Sequence, residues 1–152
     1  MRILLDSNIV LRSVEPLHAQ HELSVDAIDT LRQRGHDLII VPQVLYEFWS
    51  VATRPIEQNA LGMSPAEAHT ELITIRRLFR LLLDERAVYS IWEQLVTTLN
   101  VKGKRAHDAR LASAMQRHAV SHILTFNAVD FSRFDFVTVL TPVEVLGRMS
   151  NP

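Results

Sequence analysis

Cysteine is absent from the 152 residues. That removes disulfides and thiolate metal sites, and nothing in the composition asks for an oxidising compartment. Also missing is any apolar run near the ~18 residues that a membrane span needs. Residues 1–20 lack the apolar stretch of a secretory signal. The expectation is a cytoplasmic protein with no membrane partner. A strong charge of either sign is lacking too: 16 Lys and Arg face 17 Asp and Glu, for a net charge of −1. No global field draws such a chain to nucleic acid, so any binding of that kind must use a local patch. Several signatures of chemistry are absent as well. There is no GxxxxGK followed by Ser or Thr, no GxGxxG, no HExxH and no GxSxG. P-loop nucleotide hydrolysis, zinc proteolysis and serine hydrolysis therefore lack their parts. The seven histidines are scattered. His18 and His21 share a helical face without a third ligand, which describes a surface pair better than a zinc site.

What is present reads as one domain over residues 1–152. Its 47% hydrophobic and 22% charged residues suit a packed globular chain. Arg2 to Leu5 and Asp37 to Val41 are short apolar runs of strand length, as expected of strands buried on both faces. Ser121 to Thr125 and Val137 to Leu140 are two further strands. Between them lie segments with helical spacing of apolar residues: Leu11 to Pro16, His18 to Arg34, Pro42 to Thr53, Ala87 to Asn100 and Ala106 to His118. Ser64, Pro65 and Glu67 form a capping box at the start of a helix expected to run to about Leu83, and Pro42 suits the first turn of another. Thr141 and Pro142 open a terminal helix to about Arg148. Alternating strands and helices predict an α/β fold, a central parallel sheet flanked by helices, with residues 64–100 as a helical hairpin at one edge.

Four acids stand in unusual places. Asp6 follows the first strand at once, and Asp130 follows the strand ending at Thr125; in a parallel sheet, ligands collect beyond the carboxyl ends of strands. Glu47 lies on the apolar stripe made by Val44, Phe48, Val51 and Ala52, and Asp108 on the stripe made by Leu111, Ala112 and Met115. Each has a plainer explanation. Asp6 can cap the next helix, Glu47 can pair with Arg54, and Asp108 can favour a positive helix N-terminus. Taken together they suggest convergence at one sheet edge. Clustered carboxylates repel unless some are protonated or a cation neutralises them. An all-oxygen set, with the amides of Asn8 or Asn127, suits Mg²⁺ or Mn²⁺, and such sites serve in-line displacement at phosphodiesters. The local basic patches are Arg76, Arg77 and Arg80, and Lys102, Lys104 and Arg105 with Arg110; the second is the candidate contact for RNA phosphates, each patch having a solvated face as its alternative. Two rivals remain. One is an acidic socket for a basic peptide without catalysis. The other is a metal-dependent phosphatase, which usually needs a second acid two residues after the first, where this chain has Asn8.

The motifs LLDSN at the start, VPQVLYEFWSVATRP around Glu47, GKRAHDARLASAM around Asp108 and ILTFNAVDF around Asp130 resemble, in that order and spacing, the PIN-domain ribonucleases, particularly VapC-type toxins of toxin–antitoxin pairs. The resemblance spans essentially the whole chain. It implies that Asp6, Glu47, Asp108 and Asp130 are metal ligands and catalytic acids, supported by Ser7, Asn8 and Asn127. It further implies endoribonuclease activity on RNA, a homodimer, and a cognate antitoxin whose basic tail enters the site. Many relatives carry an additional Asp where this chain has Asn127, which bears on how firmly a second metal is held.

Overall fold

The computed structural model describes residues 1–147. Its centre is a five-stranded, all-parallel sheet in the order β3-β2-β1-β4-β5. The strands are β1 (Arg2–Leu5), β2 (Asp37–Ile40), β3 (Arg80–Leu81), β4 (His122–Leu124) and β5 (Thr138–Leu140). Ile3, Leu4 and Leu5 are fully buried, as a central strand covered on both faces requires. Among the described residues seven α-helices connect and cover them: α1 (Ser7–Ser13), α2 (His21–Gln33), α3 (Pro42–Thr53), α4 (Pro65–Leu78), α5 (Ala87–Thr98), α6 (Arg105–Arg117) and α7 (Pro142–Gly147). The chain winds outward from β1 to β2 and β3, then crosses back to β4 and β5 on the other side. The direction reverses between β1 and β4, and this topological switch point opens a crevice at the carboxyl ends of those two strands. Leu5 pairs with Leu124 there, so Asp6 and Thr125 are the first residues past the sheet.

Local chemistry explains most boundaries. Gly35, at φ +80°, follows the end of α2 where a left-handed residue is needed. The capping box at Ser64 and Glu67 is formed in both directions. Pro42 opens α3, and Arg54 ahead of Pro55 closes it in extended conformation. Three expectations change. The helix expected from His18 begins at His21, so His18 lies before it and the two histidines do not share a helical face. The first helix starts at Ser7, not Leu11, because Asp6 caps it: the Asp6 carboxylate accepts from the Ser7 amide at 2.7 Å. The helix after Ser64 ends at Leu78, not Leu83. Phe79 turns extended and Arg80–Leu81 pairs with Ile39–Ile40 as an edge strand. The apolar spacing of Ile75, Phe79 and Leu82 fits a helix equally well, so periodicity does not reveal a two-residue strand. β3 therefore divides the expected hairpin, with α4 packing on α3 and α5 on α6. Arg148, at the expected end of the last helix, lies outside the described residues.

Candidate active site

Asp6 sits at the switch point and is buried there. Its Oδ1 caps α1 through the Ser7 amide. Its Oδ2 accepts from the Thr125 hydroxyl at 2.7 Å and from Asn8 Nδ2 at 3.3 Å. Thr125 is fully buried and its Oγ1 also accepts from Asn8 Nδ2 at 3.2 Å and from the Asn127 amide at 3.0 Å. Asn8 returns the favour to the loop after β4, its Oδ1 accepting from the Phe126 amide at 3.3 Å. One hydroxyl thus ties the end of β4 to the end of β1. The capping expectation is met, and the same carboxylate also ties the start of α1 to the end of β4.

Glu47, half-buried on α3, does not pair with Arg54. Its Oε2 accepts from Ser7 Oγ at 2.7 Å and its Oε1 from Gln43 Nε2 at 2.8 Å. Asp108, in the first turn of α6, and Asp130, in a 3-10 turn after β4 (Ala128–Phe131), are held differently. The Arg105 guanidinium bridges them, 3.4 Å from Asp108 Oδ2 and in direct contact with Asp130 Oδ1. Arg110 donates to Gln43 Oε1 at 3.1 Å and to Asp84 Oδ2 at 3.0 Å. Of the four basic residues expected to meet RNA, Arg105 and Arg110 thus engage carboxylates or a buried amide, whereas Lys102 and Lys104 are exposed on the loop before α6. Asn127 is exposed, and its backbone amide joins the Thr125 cluster.

Electrostatics connect the four acids. Burial pushes the Asp6 carboxyl up to about 6 against the opposing bonds from Thr125 and Ser7, with repulsion from Glu47 and Asp108 adding to the rise. Asp108 is likewise raised by burial, opposed by Arg105, with repulsion from Asp130 and Glu47. Each acid therefore feels at least one other. Among the described residues, however, no three His, Asp or Glu side chains are close enough together to hold a metal ion. The donor chemistry fits a hard divalent cation, being all oxygen, and the positive charge standing among the acids is the guanidinium of Arg105.

Sequence reasoning passed over Thr125 and Gln43. Thr125 could have been found as the polar residue ending the strand beside β1. Gln43, 5% exposed, lies one helical turn before Glu47 on the same face, a spacing that places the two side chains in contact.

Asp6 lies at the switch point of a parallel sheet, where such folds place their ligands. Comparison with known proteins gives the relatives. The chain is 27% identical over 145 residues to Ribonuclease VapC24 of Mycobacterium tuberculosis, covering 91% of this chain and 95% of that protein. The structure of FitAcB from Neisseria gonorrhoeae superposes with a TM-score of 0.69 at 22% identity, over 93% of this chain and 98% of the other. A structure described as a toxin–antitoxin complex from Klebsiella pneumoniae gives a TM-score of 0.61 at 16% identity, over 92% and 97% of the two chains. No family model matches. In sequence and in fold the chain is similar to VapC-type PIN-domain ribonucleases.

Proposed function

We propose that this protein is a divalent-metal-dependent endoribonuclease, the toxin of a toxin–antitoxin pair. The observation that carries the reading is geometric: Ser7 joins Asp6 to Glu47, its amide donating to the one and its hydroxyl to the other, Gln43 joins Glu47 to the peptide before Asp108, and Arg105 joins Asp108 to Asp130. Asp6 and Glu47 meet only neutral donors and keep their charge, which a shared cation would offset. These four would hold Mg²⁺ or Mn²⁺. When bound, such an ion supplies Lewis acidity toward water and toward the phosphodiester. The chain's own residues prepare the site. Thr125 and Asn8 hold the Asp6 carboxylate by its outer oxygen, and Ser7 holds Glu47, so both are fixed before a ligand arrives. Lys102 and Lys104, on the rim ahead of α6, suit the phosphates of an RNA strand. Similarity to a ribonuclease supports RNA as the substrate, and similarity to a toxin–antitoxin complex supports a cognate antitoxin as partner. A homodimer belongs to the same reading.

The test is incubation with total RNA, with and without Mn²⁺, followed by mapping of the cut ends. Cleavage should require the metal and vanish in Asp108→Asn. Wild-type cleavage by that variant would remove Asp108 from the site. A second reading is favoured by one contact. Arg105 already seats a guanidinium on Asp108 and Asp130, which is what a socket for a basic peptide would do. Metal-independent binding of an arginine-rich peptide, with no RNA cleaved, would select that alternative.

A further inference from the structure

Gln43 is a buried amide that none of the proposed chemistry uses, yet both of its donor bonds are directed at the acids. Its Nε2 donates twice, to Glu47 Oε1 at 2.8 Å and to the His107 carbonyl at 2.9 Å. Its Oε1 accepts from Arg110 at 3.1 Å, which fixes which end of the amide is which, since a guanidinium can only donate. The two donor bonds go to different helices. One holds the carboxylate on α3. The other holds the peptide immediately before Asp108 on α6. Gln43 therefore joins one acid to the backbone beside another. Behind it, Arg110 continues to Asp84 at 3.0 Å, on the exposed segment between β3 and α5. That segment borders an open apolar cavity of about 450 Å³ lined by Val88, Tyr89, Trp92 and Arg110.

We propose that Gln43 is a positioning residue for the reaction. It fixes Glu47 against Asp108, and the chain Asp84, Arg110, Gln43 connects the rim of the apolar cavity to the acidic site. The inference rests on the metal-site reading above. A polar group that orients a metal-binding carboxylate typically contributes about 10- to 100-fold in metal affinity. A neutral amide with a fixed orientation does this without adding a charge that would compete for the ion.

The experiment titrates Mn²⁺ alone into the purified chain by calorimetry, alongside thermal melting and steady-state cleavage of an RNA pool. Gln43→Met keeps the length and loses both donors. It should bind Mn²⁺ about 10- to 100-fold more weakly and lose kcat with KM unchanged, because RNA contacts are elsewhere. Asp84→Asn, at the far end, should weaken Mn²⁺ binding by a smaller factor without altering the melt. A Gln43→Met protein that binds Mn²⁺ and turns over RNA as the wild type does would overturn the assignment. So would a rise in KM with kcat and metal affinity intact. If Gln43→Met fails to fold, Arg110→Met and Asp84→Asn decide: unchanged Mn²⁺ affinity in both refutes the connection. A wild-type chain that binds no Mn²⁺ removes the site reading itself, and Gln43's role with it, an outcome distinct from a failure confined to the variants.

Discussion

The two halves of the acidic site balance their charge in different ways. At the switch point, Asp6 and Glu47 are met by neutral donors: two hydroxyls, two side-chain amides and one backbone amide. Beside them, Asp108 and Asp130 share a full positive charge from Arg105. Hydrogen bonds orient a carboxylate but leave its charge in place, and in a buried setting that charge stays costly. An arginine cancels it. The neutral half is thus preorganised and electrostatically unsatisfied, while the charged half is satisfied by a group that can leave, since Arg105 is 44% exposed. A site built this way is rigid where it is buried and replaceable where it is open.

The largest expected effect comes from removing one acid of each half. Asp6→Asn or Asp108→Asn should slow RNA cleavage about a hundredfold or more, as loss of several kcal/mol of stabilisation implies. The folded chain should remain intact in both. Retained activity in either variant would remove that half from the site.

Next in size is pH dependence. The Asp6 carboxyl is raised from 3.8 to about 6 in the folded chain, so the folded state prefers it protonated. The corresponding stability is fully present below about pH 4 and is lost as pH rises through about 6. Metal-free protein should therefore lose up to about 3 kcal/mol of unfolding free energy from this group across that window. Asp6→Asn should flatten the profile. Denaturant melts at pH 4 and pH 8 for both proteins check it, and parallel profiles would contradict the assigned burial cost.

A smaller change sharpens the comparison from the neutral side. Thr125→Val deletes the hydroxyl on which Asp6, Asn8 and Asn127 converge, and should cost about 1 to 3 kcal/mol in chemical melts. It should also move the pH window of Asp6 upward, since the lost bond is one that lowers its pKa. The smallest effect is on the charged side. Arg105→Gln should bind Mn²⁺ severalfold more tightly at pH 8, because the ion no longer competes with a guanidinium. Weaker binding would mean that Arg105 assists the ion.

Much of this was legible in the chain. The strands around Leu4 and Ile39, the Pro42 helix and the α6 stripe follow from apolar pattern and from proline and glycine chemistry, which are local. The unusual placement of the four acids was legible, because a charge on an apolar stripe or at a strand end is costly unless it is partnered. β3 was not legible, since two residues with helix-compatible neighbours carry no period of their own. Nor were the bonds from Thr125 to Asp6, 119 residues apart, or from Gln43 to the His107 carbonyl, 64 apart. Those exist only once the strand order brings the segments together. Arg105 shows the limit most clearly: its basic character suggested RNA, whereas its place one helical turn before Asp108 gives it a carboxylate partner.

The central claim is that both halves serve one cation. Calorimetric titration of Mn²⁺ into the wild type and into Asp6→Asn, Glu47→Gln, Asp108→Asn and Asp130→Asn tests it most directly. Weakened binding in all four variants is the expected result. Wild-type affinity in the Asp108 and Asp130 variants, with loss only in the other two, would show that the halves do not share an ion.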